Sequence, residues 1–183
     1  MEKKAPHITL LAFREVWAEL PAARLIIIGD GVLLDACKQL AQSLGIASAV
    51  QFPSPLNASA VRDTLQQARV FVQHSVTAPS GDSEGTAISL LEAAATGLPV
   101  VSTWHGGIQD TMVHGQTGFL VEELDFRAMA KHMLSLGSDP ERATSMGQCA
   151  RQRVVTTYSM NRSIEGLHRI LTHAVESRGS HPL

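Results

Sequence analysis

Short apolar runs alternate with helix-patterned stretches along this chain, and that alternation constrains the fold more than any other feature. Strand-like runs occur at RLIII (24–28), AVQF (49–52), 69–74, PVVST (99–103) and GFLV (118–121). Between them lie stretches with apolar residues at helical spacing, beginning with Ile8, Leu11, Ala12, Val16 and Leu20. The expected helices cover 7–20, 32–44, 57–68 and 86–96, with a short one near Ile108. Three more follow at 125–136, 140–158 and 160–176. Asp139-Pro140-Glu141 supplies a cap, a first-turn proline and a first-turn acid, and Ser159 can cap the last helix. Strand and helix at this spacing predict an α/β fold, a doubly wound parallel sheet with helices on both faces. The sequence opens on a helix, so the first β–α unit of such a wind is expected to be missing from this stretch.

Length and composition bound the rest. The 183 residues suit one domain, read as 1–178 with a flexible tail at 179–183. A hydrophobic fraction of 44% and a charged fraction of 17% describe a globular chain. The net charge of -2 and the lack of a basic run argue against a nucleic-acid partner. Cys37 and Cys149 lack metal-ligand spacing and read as free thiols in a reducing compartment, which points to a cytoplasmic protein. No apolar run approaches the roughly 20 residues of a membrane span. The histidines form no zinc motif, and no metal is expected. Arg142, Arg151, Arg153 and Arg162 read as a solvated helical face. A meeting with a further domain or an anionic membrane surface is the alternative.

In parallel α/β sheets ligands bind where loops leave the carboxyl ends of the strands. Three glycine-bearing loops do so here: GDG after 24–28, SGDSEG after 69–74, and WHGGIQD after 99–103. The first invites a dinucleotide-binding reading, but Leu34 stands where the third glycine of G-x-G-x-x-G belongs. The second carries the sharper signal. SEGTAISLLEAAATGLPVV (83–101) holds Glu84 and Glu92 with seven residues between them. In a continuous helix that spacing spans about 12 Å, which suits two parts of one elongated ligand. Backbone N–H groups of Gly85, Thr86 and Ala87 at the helix start would face an anion. The plainer reading is that Glu84 favours the helix dipole and Glu92 is solvated.

Four segments, in order and spacing, carry a family resemblance. EKKAPHITLLAF, ARLIIIGDG, SEGTAISLLEAAATGLPVVST and HGGIQDTMVHGQTGFLV resemble the C-terminal, donor-binding half of GT-B-fold glycosyltransferases. The match is to glycosyltransferase family four, the glycosyl transferases group 1, with its E-x7-E and GGxPE motifs. The resemblance implies a retaining enzyme that transfers a sugar from a nucleotide-sugar such as a UDP-, GDP- or ADP-sugar, with no cofactor and no metal. It implies that Glu84, the candidate catalytic residue, contacts the donor's sugar hydroxyls and that Glu92 binds the ribose hydroxyls. Amides of Gly85, Thr86, Ala87 and Ile88 would meet the sugar and diphosphate. Lys4 would neutralise the diphosphate, and the base would lie against 52–55. His105, Gly106 and Gly107 are further candidate donor contacts.

The sequence departs from the family pattern in several places. Thr86-Ala87 replaces the usual Phe-Gly, Gln109-Asp110 the usual Pro-Glu, and Pro53 a common glycine. The N-terminal acceptor domain of such enzymes is absent, so this stretch is expected to be inactive alone. Peripheral membrane contact would come through the parent enzyme. Two other readings stay open on the residues: a non-catalytic nucleotide-sugar binding remnant, and a nucleotide-cofactor oxidoreductase or epimerase.

Overall fold

The computed structural model describes residues 2–179, with side chains from 3 to 175. Residues 180–183, most of the expected tail, lie outside the described residues. Among the described residues five strands and eight α-helices follow one another in the expected order. They are α1 (Pro6–Glu19), β1 (Leu25–Ile26), α2 (Leu34–Ser43), β2 (Val50–Gln51), α3 (Ala58–Gln67), β3 (Phe71–Val72) and α4 (Ile88–Ala95). Then come β4 (Val100–Thr103), α5 (Ile108–Thr111), β5 (Gly118–Val121), α6 (Phe126–Gly137), α7 (Pro140–Thr157) and α8 (Met160–Gly179).

All strand pairing is parallel, in two pieces. β1 pairs with β2, and β4 lies between β3 and β5. The first three strands are shorter than their apolar runs. Ile27 still donates to the Gln51 carbonyl, but Pro53 then removes the next donor from the β2 side and the ladder stops. β4 and β5 are buried along their whole length, as strands covered on both faces are.

The helices begin where polar caps allow. Asn57 accepts from Ala60 N–H at 2.9 Å, Asp125 from Ala128 N–H at 2.9 Å and Asp139 from Arg142 N–H at 3.0 Å. The main core joins Leu10, Phe13 and Val16 of α1 to Met129, Met133 and Leu136 of α6 and to Val101 and Phe119 of the sheet. α8 runs three residues past its expected end, with Ile164, Leu167, Leu171 and Val175 exposed. Arg142, Arg151 and Arg162 are exposed, as a solvated helical face would have them, and Arg153 is half-buried. Arg153 donates at 2.8 Å to the carbonyls of Asp110 and Thr111, and Arg142 lies over the Phe119 ring.

One boundary differs in a way that shapes the site. α4 starts at Ile88, not Thr86, with Ala87 as its cap residue. Gly85 and Thr86 therefore belong to the incoming loop, and only Ile88 to Glu92 climb the helix, a rise of about 6 Å. Glu84 sits ahead of the helix rather than on it.

Candidate donor site at the carboxyl edge of the sheet

The loops after β3 and β4 and the first turn of the chain converge at one edge. Glu2–Lys4 form a single 3₁₀ turn beside the end of β3, where the Lys3 carbonyl accepts from Val76 N–H at 2.8 Å. Lys3 Nζ reaches Asp82 at 3.1 Å and the Ser83 carbonyl at 3.2 Å. Lys4 Nζ lies 3.2 Å from Glu84 Oε2 and 3.3 Å from Gln73 Oε1. Glu84 is buried, and its contact with Lys4 is an ion pair whose angle leaves Oε2 without a hydrogen bond. An acid held this way keeps acceptor capacity for a hydroxyl.

Gln73 is the hub beneath this pair. It is 7% exposed, takes a hydrogen bond from Ser89 Oγ at 2.8 Å and donates to Ser75 Oγ at 3.0 Å. It thereby ties β3 to the first turn of α4. Sequence reasoning passed over Gln73 because it sits inside a strand-like run. A glutamine among β-strand apolar residues was the only signal.

Among the described residues, the N–H groups of Gly85, Thr86, Ala87, Ile88 and Ser89 donate to no protein acceptor. The first internal bonds of the helix are those from Leu90 and Leu91 to the Ala87 carbonyl. These unpaired donors, at the positive end of the α4 dipole, form an anion-attracting arc. Glu92 lies one turn further along α4, exposed, its carboxylate without an ion pair or hydrogen bond among the described residues.

The loop after β4 supports Glu84 from the other side. Ideal Cβ atoms at Gly106 and Gly107 would lie 1.9 Å from the Glu84 carbonyl oxygen and 2.2 Å from that of Gly85. Only glycines permit that approach. His105 is 4% exposed, so neither of its ring nitrogens is free for a ligand as the sequence reading had it. Nε2 accepts from Glu84 N–H at 3.0 Å, and Nδ1 meets Glu123 Oε1 at 2.5 Å. Glu123 also accepts from Thr77 N–H at 3.2 Å. Burial alone would raise the Glu123 carboxyl; the hydrogen bonds from His105 and Thr77 and the nearby imidazoles outweigh it and hold the group below its ordinary value. Trp104, 41% exposed, stacks on His114 rather than closing over Glu84.

Phe52, in the loop expected to face a base, packs against the main core. A shallow cavity of about 430 Å³, lined by Gln67, Arg69, Thr96, Gln148 and Arg151 among others, lies at the opposite end of the strands, away from these carboxylates. Among the described residues no three His, Cys, Asp or Glu side chains converge as a metal site would need. No described helix is long and apolar enough to cross a membrane.

A parallel α/β domain of this shape matches GT-B glycosyltransferases. HepE from Anabaena, solved in complex with UDP, superposes with a TM-score of 0.83 at 20% identity, over 94% of this chain and 46% of that one. The C-terminal domain of a glycosyl transferase group 1 family protein, LpcC from Francisella tularensis, gives 0.77 at 21% identity, over 87% of this chain and 82% of that one. The profile of the glycosyl transferases group 1 family matches residues 1–153, and the chain belongs to that family. The putative colanic acid biosynthesis glycosyltransferase WcaL of Salmonella typhimurium is 32% identical over 170 residues, 91% of this chain and 42% of its own length. A GDP-mannose-dependent alpha-(1-6)-phosphatidylinositol monomannoside mannosyltransferase of Mycolicibacterium smegmatis is 30% identical over 177 residues, 96% of this chain and 46% of its own. The chain thus spans somewhat less than half the length of these curated relatives.

Proposed function

We propose that this chain is the donor-binding half of a retaining family-four glycosyltransferase, transferring a sugar from a nucleotide-sugar to an acceptor held by another domain. The observation that carries the reading is the convergence of Lys4, Glu84, the unpaired N–H arc from Gly85 to Ser89, and the unpartnered Glu92 at one sheet edge. Each element has the chemistry for one part of such a donor. Glu84 accepts from sugar hydroxyls, the arc and Lys4 take the diphosphate, and Glu92 accepts from the ribose diol. A neighbour solved with UDP and a relative that is GDP-mannose-dependent support the same ligand class.

On this reading the rate gain comes from charge. As the sugar–phosphate bond breaks, negative charge builds on the departing nucleoside diphosphate. The amide arc and Lys4 are already aimed at it, so little reorganisation is required. No metal or other cofactor is invoked, and the acceptor attacks from the face that the leaving phosphate vacates. The domain spans 1–178, works in the cytoplasm with membrane contact through the parent enzyme, and alone binds donor without transferring it.

The test is calorimetric titration of the chain with UDP, GDP and ADP and with their glucose or mannose conjugates, beside Glu92→Ala. One nucleotide should bind, with affinity reduced roughly tenfold in the variant, the loss expected for hydrogen bonds to a charged group. Equal affinity in the two proteins would sink the assignment of Glu92.

A further inference from the structure

His105 stands between two acids that the donor reading treats differently. Its Nε2 accepts the hydrogen bond from the Glu84 amide at 3.0 Å, and its Nδ1 is anchored by Glu123 at 2.5 Å. Glu123 is itself tied to the loop after β3 through Thr77 N–H. An imidazole that accepts at Nε2 must carry its proton at Nδ1, and a carboxylate at Nδ1 fixes that tautomer. The next two residues, Gly106 and Gly107, bring backbone against the Glu84 and Gly85 carbonyls with no room for a Cβ. The Glu84–Gly85 segment is thus clamped by a side chain on its N–H and by main chain on its carbonyls. No comparable bond reaches Glu92, which rides on α4.

We propose that His105 is a positioning residue that sets the place of the Glu84 carboxylate, with Glu123 locking the imidazole tautomer, and so controls recognition of the donor's sugar but not of its nucleotide. The inference rests on the donor reading for its functional consequence and on the hydrogen bonds alone for its structural one. His105 itself touches no substrate. It acts through the main chain of Glu84.

Two replacements separate its halves. The amide of Gln reaches the position of Nε2, so His105→Gln keeps an acceptor for the Glu84 N–H and gives up the Glu123 anchor. The amide of Asn reaches the position of Nδ1, so His105→Asn keeps a donor to Glu123 and abandons Glu84. The first readout is hydrogen exchange of the Glu84 amide, followed residue by residue by NMR. Exchange should quicken roughly tenfold or more in His105→Asn and stay near wild type in His105→Gln, as expected for loss of one buried hydrogen bond. The second readout is affinity for UDP-glucose against UDP, and for GDP-mannose against GDP. His105→Asn should lose several-fold in affinity for the sugar conjugate while the free nucleotide binds as before, and His105→Gln should recover the conjugate.

Equal Glu84 exchange in wild type and the Asn variant overturns the proposal. So does equal loss in both variants, or a loss that falls on nucleotide and conjugate alike. If no nucleotide binds the wild-type chain, the donor reading fails, yet the exchange measurement still decides the clamp. If either replacement does not fold, Glu123→Ala carries the tautomer half of the test: with no carboxylate at Nδ1 the imidazole proton is free to move to Nε2, which then ceases to accept, so the Glu84 amide should exchange faster than in wild type.

Discussion

Lys4 Nζ lies 3.2 Å from Glu84 Oε2, so the first turn of the chain is bound electrostatically to a buried acid eighty residues further on. A buried carboxylate stripped of its cation is costly. Lys4→Met should therefore weaken binding of a nucleoside diphosphate roughly tenfold, in the range for loss of a charge-assisted contact. The same variant should narrow the gap between the diphosphate and the parent nucleoside. Titration with UDP and uridine, or GDP and guanosine, reads both. Unchanged diphosphate affinity would remove Lys4 from the site.

Gly147 of α7 packs so closely on the end of α4 that an added Cβ would sit 1.9 Å from the Gly97 carbonyl oxygen and 2.8 Å from its carbon. Both obstacles are backbone, which yields little. Gly147→Ala should cost about 2–3 kcal/mol of stability despite its better helix propensity. Urea unfolding measures it, and a change within roughly 0.5 kcal/mol would show that the two helices can slide apart.

His74 makes stability depend on pH. Its side chain is fully buried, Nε2 accepts from Leu124 N–H at 2.8 Å, and Nδ1 has no partner. Burial pushes its pKa down from 6.5 to about 4; His7 adds to the shift, while the charges of Glu123 and Asp125 oppose it. The unfolded chain therefore binds a proton at His74 below about 6.5 that the folded chain refuses until about 4. Stability from this group is complete above the upper value and falls as pH drops through that window, by on the order of 2–3 kcal/mol in all. His74→Gln keeps an acceptor for Leu124 and has no titration. Unfolding at pH 7 and pH 5 should show a smaller pH dependence in the variant, and equal dependence in both proteins would contradict the assignment.

Much of this architecture was legible in the residues. The caps Asn57, Asp125 and Asp139 announce α3, α6 and α7, since a side-chain acceptor three residues ahead of a free N–H is a local arrangement. The order of the strands was equally plain. Their lengths were not, because pairing depends on the partner, and Pro53, just past β2, ends the pairing of β1 from across the ladder. The start of α4 was placed two residues early, because Thr86 tolerates a helix and the bend at Gly85–Thr86 is held by the approach of Gly106 and Gly107. That support is tertiary and leaves no local trace. Glu84 and Glu92 stood out by spacing, but their roles came from family resemblance. In the sequence His105 reads as a donor contact. Its actual partners, Glu84 and Glu123, lie 21 and 18 positions away, and nothing in its neighbours pointed to them. Gln73 was missed because it stands inside a strand-like run.

The most direct test of the central claim is a map of backbone amide shifts in the labelled chain on adding UDP-glucose or GDP-mannose. The donor reading predicts the largest changes at Gly85 to Ser89, with smaller ones at Lys4, Glu92 and Gly106–Gly107. Changes centred on the groove around Arg69, Gln148 and Arg151, with the Gly85–Ser89 amides unmoved, would contradict it.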